Sequence, residues 1–154
     1  MRDRMRLPRI PNLSDWQIFI KTLFLLPVTA LLVQWMRFSE LLKWLDRASV
    51  GDNAVYLEKE VAANQARRVA SVFLRAVQLS PIKGRCLSQS LVLWHLLKRR
   101  GFQGQLRIGV RKKDELRSFT THNFDAHAWV EFQGEVLNER PDVHERFTVI
   151  RYTF

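Results

Sequence analysis

The sequence predicts an α+β fold, with helices first and an antiparallel sheet after them. Three features predict it. Apolar residues recur at helical spacing up to Leu97, and they alternate with polar ones after Gly104. Gly and Pro punctuate the changes of period at Pro81, Gly84, Gly101 and Gly134. A chain of 154 residues, 47% of them hydrophobic, suits one compact domain with a packed core. Within it, residues 1–80 read as a helical region that packs on the rest and offers a surface to partners. Residues 81–154 read as the core that carries the chemistry.

The elements follow in order. Residues 1–12 read as an arm, with Pro8 and Pro11 as helix stops. Ser14 or Asp15 is the expected N-cap of a first helix, Asp15–Leu26. Pro27 should kink it or begin a second helix that runs to Asp46. A break surrounds Gly51. A third helix, about Tyr56–Gln78, shows Val61, Val69, Val72, Phe73 and Val77 near helical spacing, with Arg67, Arg68 and Arg75 toward water. A fourth opens at Cys86 and runs to Arg100. Leu87, Leu91, Trp94 and Leu97 mark its inner face, and Gly101 suits the position just past its end. "QLRIGVRKK", "AHAWVEF" and "EVLNE" then read as strands, and "YTF" as an added edge strand.

The formal net charge of +10 favours acidic partners such as nucleic acid, anionic lipid or an acidic peptide. No nucleic-acid motif accompanies it, which argues against nucleic acid. A single cysteine excludes an intrachain disulfide and points to a reducing compartment, the cytoplasm. The uninterrupted apolar run Leu23–Val33 is about half of the ~20 residues a membrane span needs, so a core helix is the expected reading. Trp16, Trp35 and the N-terminal arginines keep peripheral membrane contact open as the alternative.

The chemistry centres on Cys86. A helix start favours a thiolate through its partial positive charge, and its free N–H groups can hold an oxyanion. Lys83 and Arg85 add positive field. A small inert core residue is the competing reading. Among the four histidines, His95 lies in an apolar helix and reads as a core residue, while His122 and His144 read as solvated. His127, between Ala126 and Ala128 on a strand, has room to meet a partner. A base needs an orienting acceptor. If Phe132-Gln133-Gly134 is a three-residue hairpin loop, Glu131 pairs with Glu135 and His127 falls opposite Glu139. A two-residue loop would bring Asn138 to the histidine face, but it needs φ > 0 at Gln133. Glu139 is the expected third member, with Asn138 and Asp125 as alternatives.

"GRCLSQSLVLWHLLKRRGFQGQLRIGV" followed by "FDAHAWVEFQGEVLNERPDVHERF" resembles the transglutaminase-like cysteine peptidases of lasso-peptide biosynthesis, the stand-alone peptidase half of the split B-type maturation proteins. The resemblance covers Gly84–Phe147. It implies a papain- or transglutaminase-like catalytic core over residues 81–154, with the cysteine at a helix N-terminus packed on an antiparallel sheet. It implies a catalytic Cys–His–Asp triad whose members fall on Cys86, His127 and Glu139. Glutamate where the family has aspartate is a departure, one methylene longer. No metal or other cofactor is implied. The implied activity is removal of the leader from a lasso-peptide precursor. The implied partners are the precursor's leader region, a separate leader-recognition protein and the ATP-dependent cyclase that acts afterwards. A transglutaminase-type acyltransferase and a non-catalytic leader-binding scaffold are the alternatives.

Overall fold

A computed structural model describes residues 13–35, 37, 40–41, 43, 47, 58–81, 85–111 and 126–150. The expected arm, Gly51 break, His122, Asp125 and "YTF" strand lie outside these residues, as does most of the expected helix beyond Trp35. Among the described residues three long helices come first: α1 (Leu13–Trp35), α2 (Lys59–Leu79) and α3 (Cys86–Lys98). Then follow β1 (Gln105–Arg111), β2 (Ala126–Phe132), β3 (Glu135–Val136), the short α4 (Val143–Arg146) and β4 (Phe147–Val149). The strands form one antiparallel sheet in the order β3-β2-β1-β4. The fold is α+β, as the change of period implies.

Of the two outcomes expected at Pro27, helix α1 rules out the start of a second helix. It runs unbroken through Pro27 for 23 residues. Proline's fixed φ suits a helix, and its penalty is the missing N–H and the crowded preceding turn. Packing offsets that penalty, because Ile18, Thr22, Leu26 and Thr29 are buried along one face. The two threonines satisfy their hydroxyls on their own helix, Thr22 Oγ1 donating to the Ile18 carbonyl and Thr29 Oγ1 to that of Leu25, each at 2.8 Å. Ser14 and Asp15 lie inside the first turn rather than at its cap. Asp15 is buried and takes a two-pronged hydrogen bond from Arg68, at 3.1 and 2.8 Å, which pins α1 to α2.

Helix α2 turns a face of Ala62, Ala66, Val69, Ala70, Phe73 and Val77 inward. Its alanines allow close helix approach. Helix α3 is buried over most of its surface, as its leucines predict. It ends at Gly101, whose φ of +81° lets Gly101 N–H reach the Lys98 carbonyl and Phe102 N–H the Leu97 carbonyl. These are the two bonds of a Schellman stop. One apolar cluster joins α1, α2 and α3 to Leu106, Val130 and Phe132 of the sheet. A second, smaller cluster of Trp129, Val143 and Phe147 covers the other face.

The hairpin departs from the expected register. Phe132 pairs with Glu135 and Glu131 with Val136, so the loop is the two residues Gln133-Gly134. Both have positive φ, +52° and +83°. A left-handed non-glycine residue costs about 1–2 kcal/mol, yet such a turn matches the twist of the flanking strands. Strand β3 is also shorter than "EVLNE". Leu137 N–H still donates to the Val130 carbonyl at 2.9 Å, but Val130 N–H donates to the Asn138 side-chain Oδ1 at 2.8 Å. That amide takes the place of a backbone acceptor, and the chain leaves the ladder there. Strand β4 and helix α4 have no counterpart in the expected elements.

Candidate active site

Cys86 is the first residue of α3 and is half-buried. The N-cap residue Arg85 is extended, and its side chain makes no capping bond. The first-turn N–H groups of a helix have no acceptor within it. They therefore converge beside the thiol as a ready oxyanion seat.

A polar relay fixes this helix end against β2. Ser90, one turn on from Cys86, is fully buried and donates its hydroxyl to the Ala128 carbonyl at 2.8 Å. Asn138 Nδ2 donates to the same hydroxyl oxygen at 2.9 Å, while its Oδ1 accepts from Val130. Asn138 thus ties α3, β2 and the post-hairpin chain together. Its amide is occupied by this relay and does not orient His127. Further along, Trp94 Nε1 donates to the Gly104 carbonyl at 3.0 Å. These contacts lay the helix along β2 with its N-terminal end, where Cys86 stands, toward the start of the strand, where His127 stands.

His127 lies on the face opposite Val130 and Phe132. Its ring stacks on Phe147, with centroids 5.1 Å apart and planes 26° apart, and more distantly on Trp129. Gly109 is its cross-strand neighbour. A Cβ at Gly109 would stand 2.9 Å from the Trp129 indole and 3.0 Å from Phe147, so glycine there makes room for this aromatic shelf. The shelf is held from below by the buried Glu131. It accepts from Trp129 Nε1 at 2.7 Å and from Arg107 Nε at 3.0 Å, and it lies 3.1 Å from His144 Nε2. His144 is therefore paired, not merely solvated. His95 is only half-buried and lines a groove between α1 and α3 rather than the core.

His127 Nε2 and Glu139 Oε2 are 2.6 Å apart. The expected ladder does not create this contact. In the observed register a continued strand would set Glu139 across from Ala128, on the wrong face. The contact exists because Asn138 ends the ladder and the chain bends. The extra methylene of glutamate is accommodated in that bend. Glu139 Oε1 accepts from Arg140 N–H at 3.0 Å and from Arg146 Nη2 at 3.3 Å. Burial pushes the Glu139 carboxyl upward, but the Arg140 N–H, His127 and Arg146 outweigh it, and it lies below its ordinary value. An ionised acceptor on Nε2 holds the proton there and leaves Nδ1 as the basic nitrogen.

The transglutaminase-like superfamily matches residues 29–152. The chain belongs to that superfamily. Over 152 residues, 97% of its length, this transglutaminase-like chain is 24% identical to the microcin J25-processing protein McjB of Escherichia coli. The chain spans 66% of the length of that relative, just under two thirds. No solved structure matches it significantly.

Three contributors went unread in the sequence. Arg146 steadies Glu139 and also lies over the Phe147 ring, 5.6 Å from its centroid. Phe147 shelves His127, and Ser90 anchors the Cys86 helix. The i, i+4 step from Cys86 to Ser90 was the available signal for the last. The Asp142–Arg146 spacing and the alternation in "RFTVI" were the signals for α4 and β4.

Proposed function

We propose that this chain is a cysteine peptidase that removes the leader from a lasso-peptide precursor, with Cys86 as nucleophile, His127 as acid and base, and Glu139 as the orienting carboxylate. The observation that carries it is the 2.6 Å His127–Glu139 contact beside a helix that opens on the chain's lone cysteine. The kinship with McjB, a microcin-processing protein, supplies the substrate class. In this mechanism the Cys86 thiolate attacks the scissile carbonyl carbon. The oxyanion is held by the first-turn N–H groups of α3. The C–N bond breaks as His127 gives its Nδ1 proton to the leaving core amine. Water then attacks the thioester, His127 takes its proton, and the leader leaves as a carboxylic acid while the thiolate is restored. No metal or cofactor enters these steps. A separate leader-recognition protein presents the leader, and a separate ATP-dependent cyclase consumes the freed amine.

Mass spectrometry of the precursor, incubated with this chain and the recognition protein, tests the reading. Leader and core fragments whose masses sum to the precursor plus one water are expected. An amine adduct would mark acyl transfer instead, and intact precursor in a stable complex would mark a scaffold.

A further inference from the structure

Helix α1 is apolar on two opposite faces. The face of Ile18, Thr22, Leu26 and Thr29 is buried on α2 and α3. The opposite face carries Trp16, Ile20, Phe24, Val28, Leu31 and Trp35, every one of them exposed, from 45% to 85%. Their three- and four-residue spacing makes one stripe along a helix about 34 Å long. The helix is long and apolar enough to cross a membrane, and only 22% of its most apolar window is buried. The expectation that the segment was too short to span therefore falls on length. Yet its inner face is locked by the Asp15–Arg68 pair to α2, whose Arg67, Arg68 and Arg75 are exposed, so spanning would drag these charges into lipid.

Charge says what covers the stripe. Beside it, α1 and α3 enclose a groove of about 390 Å³ with Leu25 and Leu96 among its apolar lining and Lys21, Arg99 and Arg100 among its cations. The whole chain carries +10. Tryptophans end the stripe, as in segments that lie in a membrane interface. A protein partner would need a matching trough as long as the helix, whereas a bilayer offers the plane directly. We infer that α1 is a membrane-surface keel that docks the domain on anionic lipid, its apolar stripe in the headgroup boundary and Lys21 and Arg99 on the phosphates.

Flotation of the full chain with vesicles of phosphatidylcholine, alone or mixed with phosphatidylglycerol, tests this. Co-flotation with the mixed vesicles, weakened by salt and accompanied by a blue shift of tryptophan emission, is expected. Phe24→Asp should lower partitioning at least about tenfold, the effect of withdrawing one large apolar side chain. Lys21→Glu with Arg99→Glu should abolish the preference for anionic vesicles. Peptide cleavage in solution by Phe24→Asp should match wild type, which separates this inference from the peptidase reading. Failure to float, flotation indifferent to Phe24→Asp, retention through carbonate, or a dimer that Phe24→Asp splits would each overturn the keel.

Discussion

Replacing Glu139 probes the site most finely, because its carboxylate has three donors to serve. Oε2 takes His127, and Oε1 takes Arg140 N–H and Arg146. In Glu139→Gln one oxygen can still accept from His127, but the new NH2 then faces two donors. Flipping the amide reverses the problem. Glutamine should therefore orient His127 only in part, and Glu139→Ala not at all. A hydrogen bond to a charged group is worth about 1.5–3 kcal/mol, and each 1.4 kcal/mol is tenfold. The expected loss in kcat/KM for alanine is thus about 10- to 100-fold, with glutamine between alanine and wild type. Losing the carboxylate of a serine triad is costlier, about 10⁴-fold, because serine must be deprotonated during attack and a thiolate need not be. Single-turnover cleavage of precursor, followed by mass spectrometry, gives the numbers. Loss as complete as in His127→Ala, or no loss at all, would show that Glu139 does not act by orienting His127.

Acid should reveal the same carboxylate. Its value is depressed in the folded chain, so its stabilising contribution is complete above the ordinary 4.5 and disappears as the pH falls through the lower folded value. Urea unfolding of wild type and Glu139→Ala should differ at neutral pH and converge in acid; a gap that widens in acid contradicts the sign. Asn138→Ala should lower stability by about 1–3 kcal/mol, since Val130 N–H loses its acceptor, and its coupling to Ser90→Ala in a double-mutant cycle should be clearly nonzero. Gly109→Ala should cost about 1–3 kcal/mol by pushing Trp129 and Phe147 apart, visible as a shift in tryptophan emission; an unchanged Tm counts against the shelf. Pro27→Ala should raise Tm, by up to about 3 kcal/mol of stability, because α1 is already continuous there.

Legibility in the sequence followed how local each signal was. Strand β2 coincides with "AHAWVEF", and α3 begins at Cys86, because alternation and helical spacing are written in neighbouring residues. As the start of a second helix Pro27 misled, because its local preference to break a helix yields to the buried face on either side of it. The hairpin misled for a similar reason: positive φ at Gln133, unfavourable by itself, gives a turn whose twist matches that of the strands it joins. Glu139 meets His127 for a reason no register count contains, namely that an Asn138 side chain replaces a backbone acceptor and lets the chain bend. Arg146 and Phe147 arrive through α4 and β4, whose three or four residues are too short for any periodicity to declare them.

The proposed peptidase activity requires that Cys86 attack the leader's carbonyl. The direct test is cleavage of the precursor by Cys86→Ala in the presence of the recognition protein, read by mass spectrometry against wild type at equal folded concentration. Intact precursor is expected with the variant, and released leader and core with the wild type. Leader release by Cys86→Ala at a near wild-type rate would contradict it.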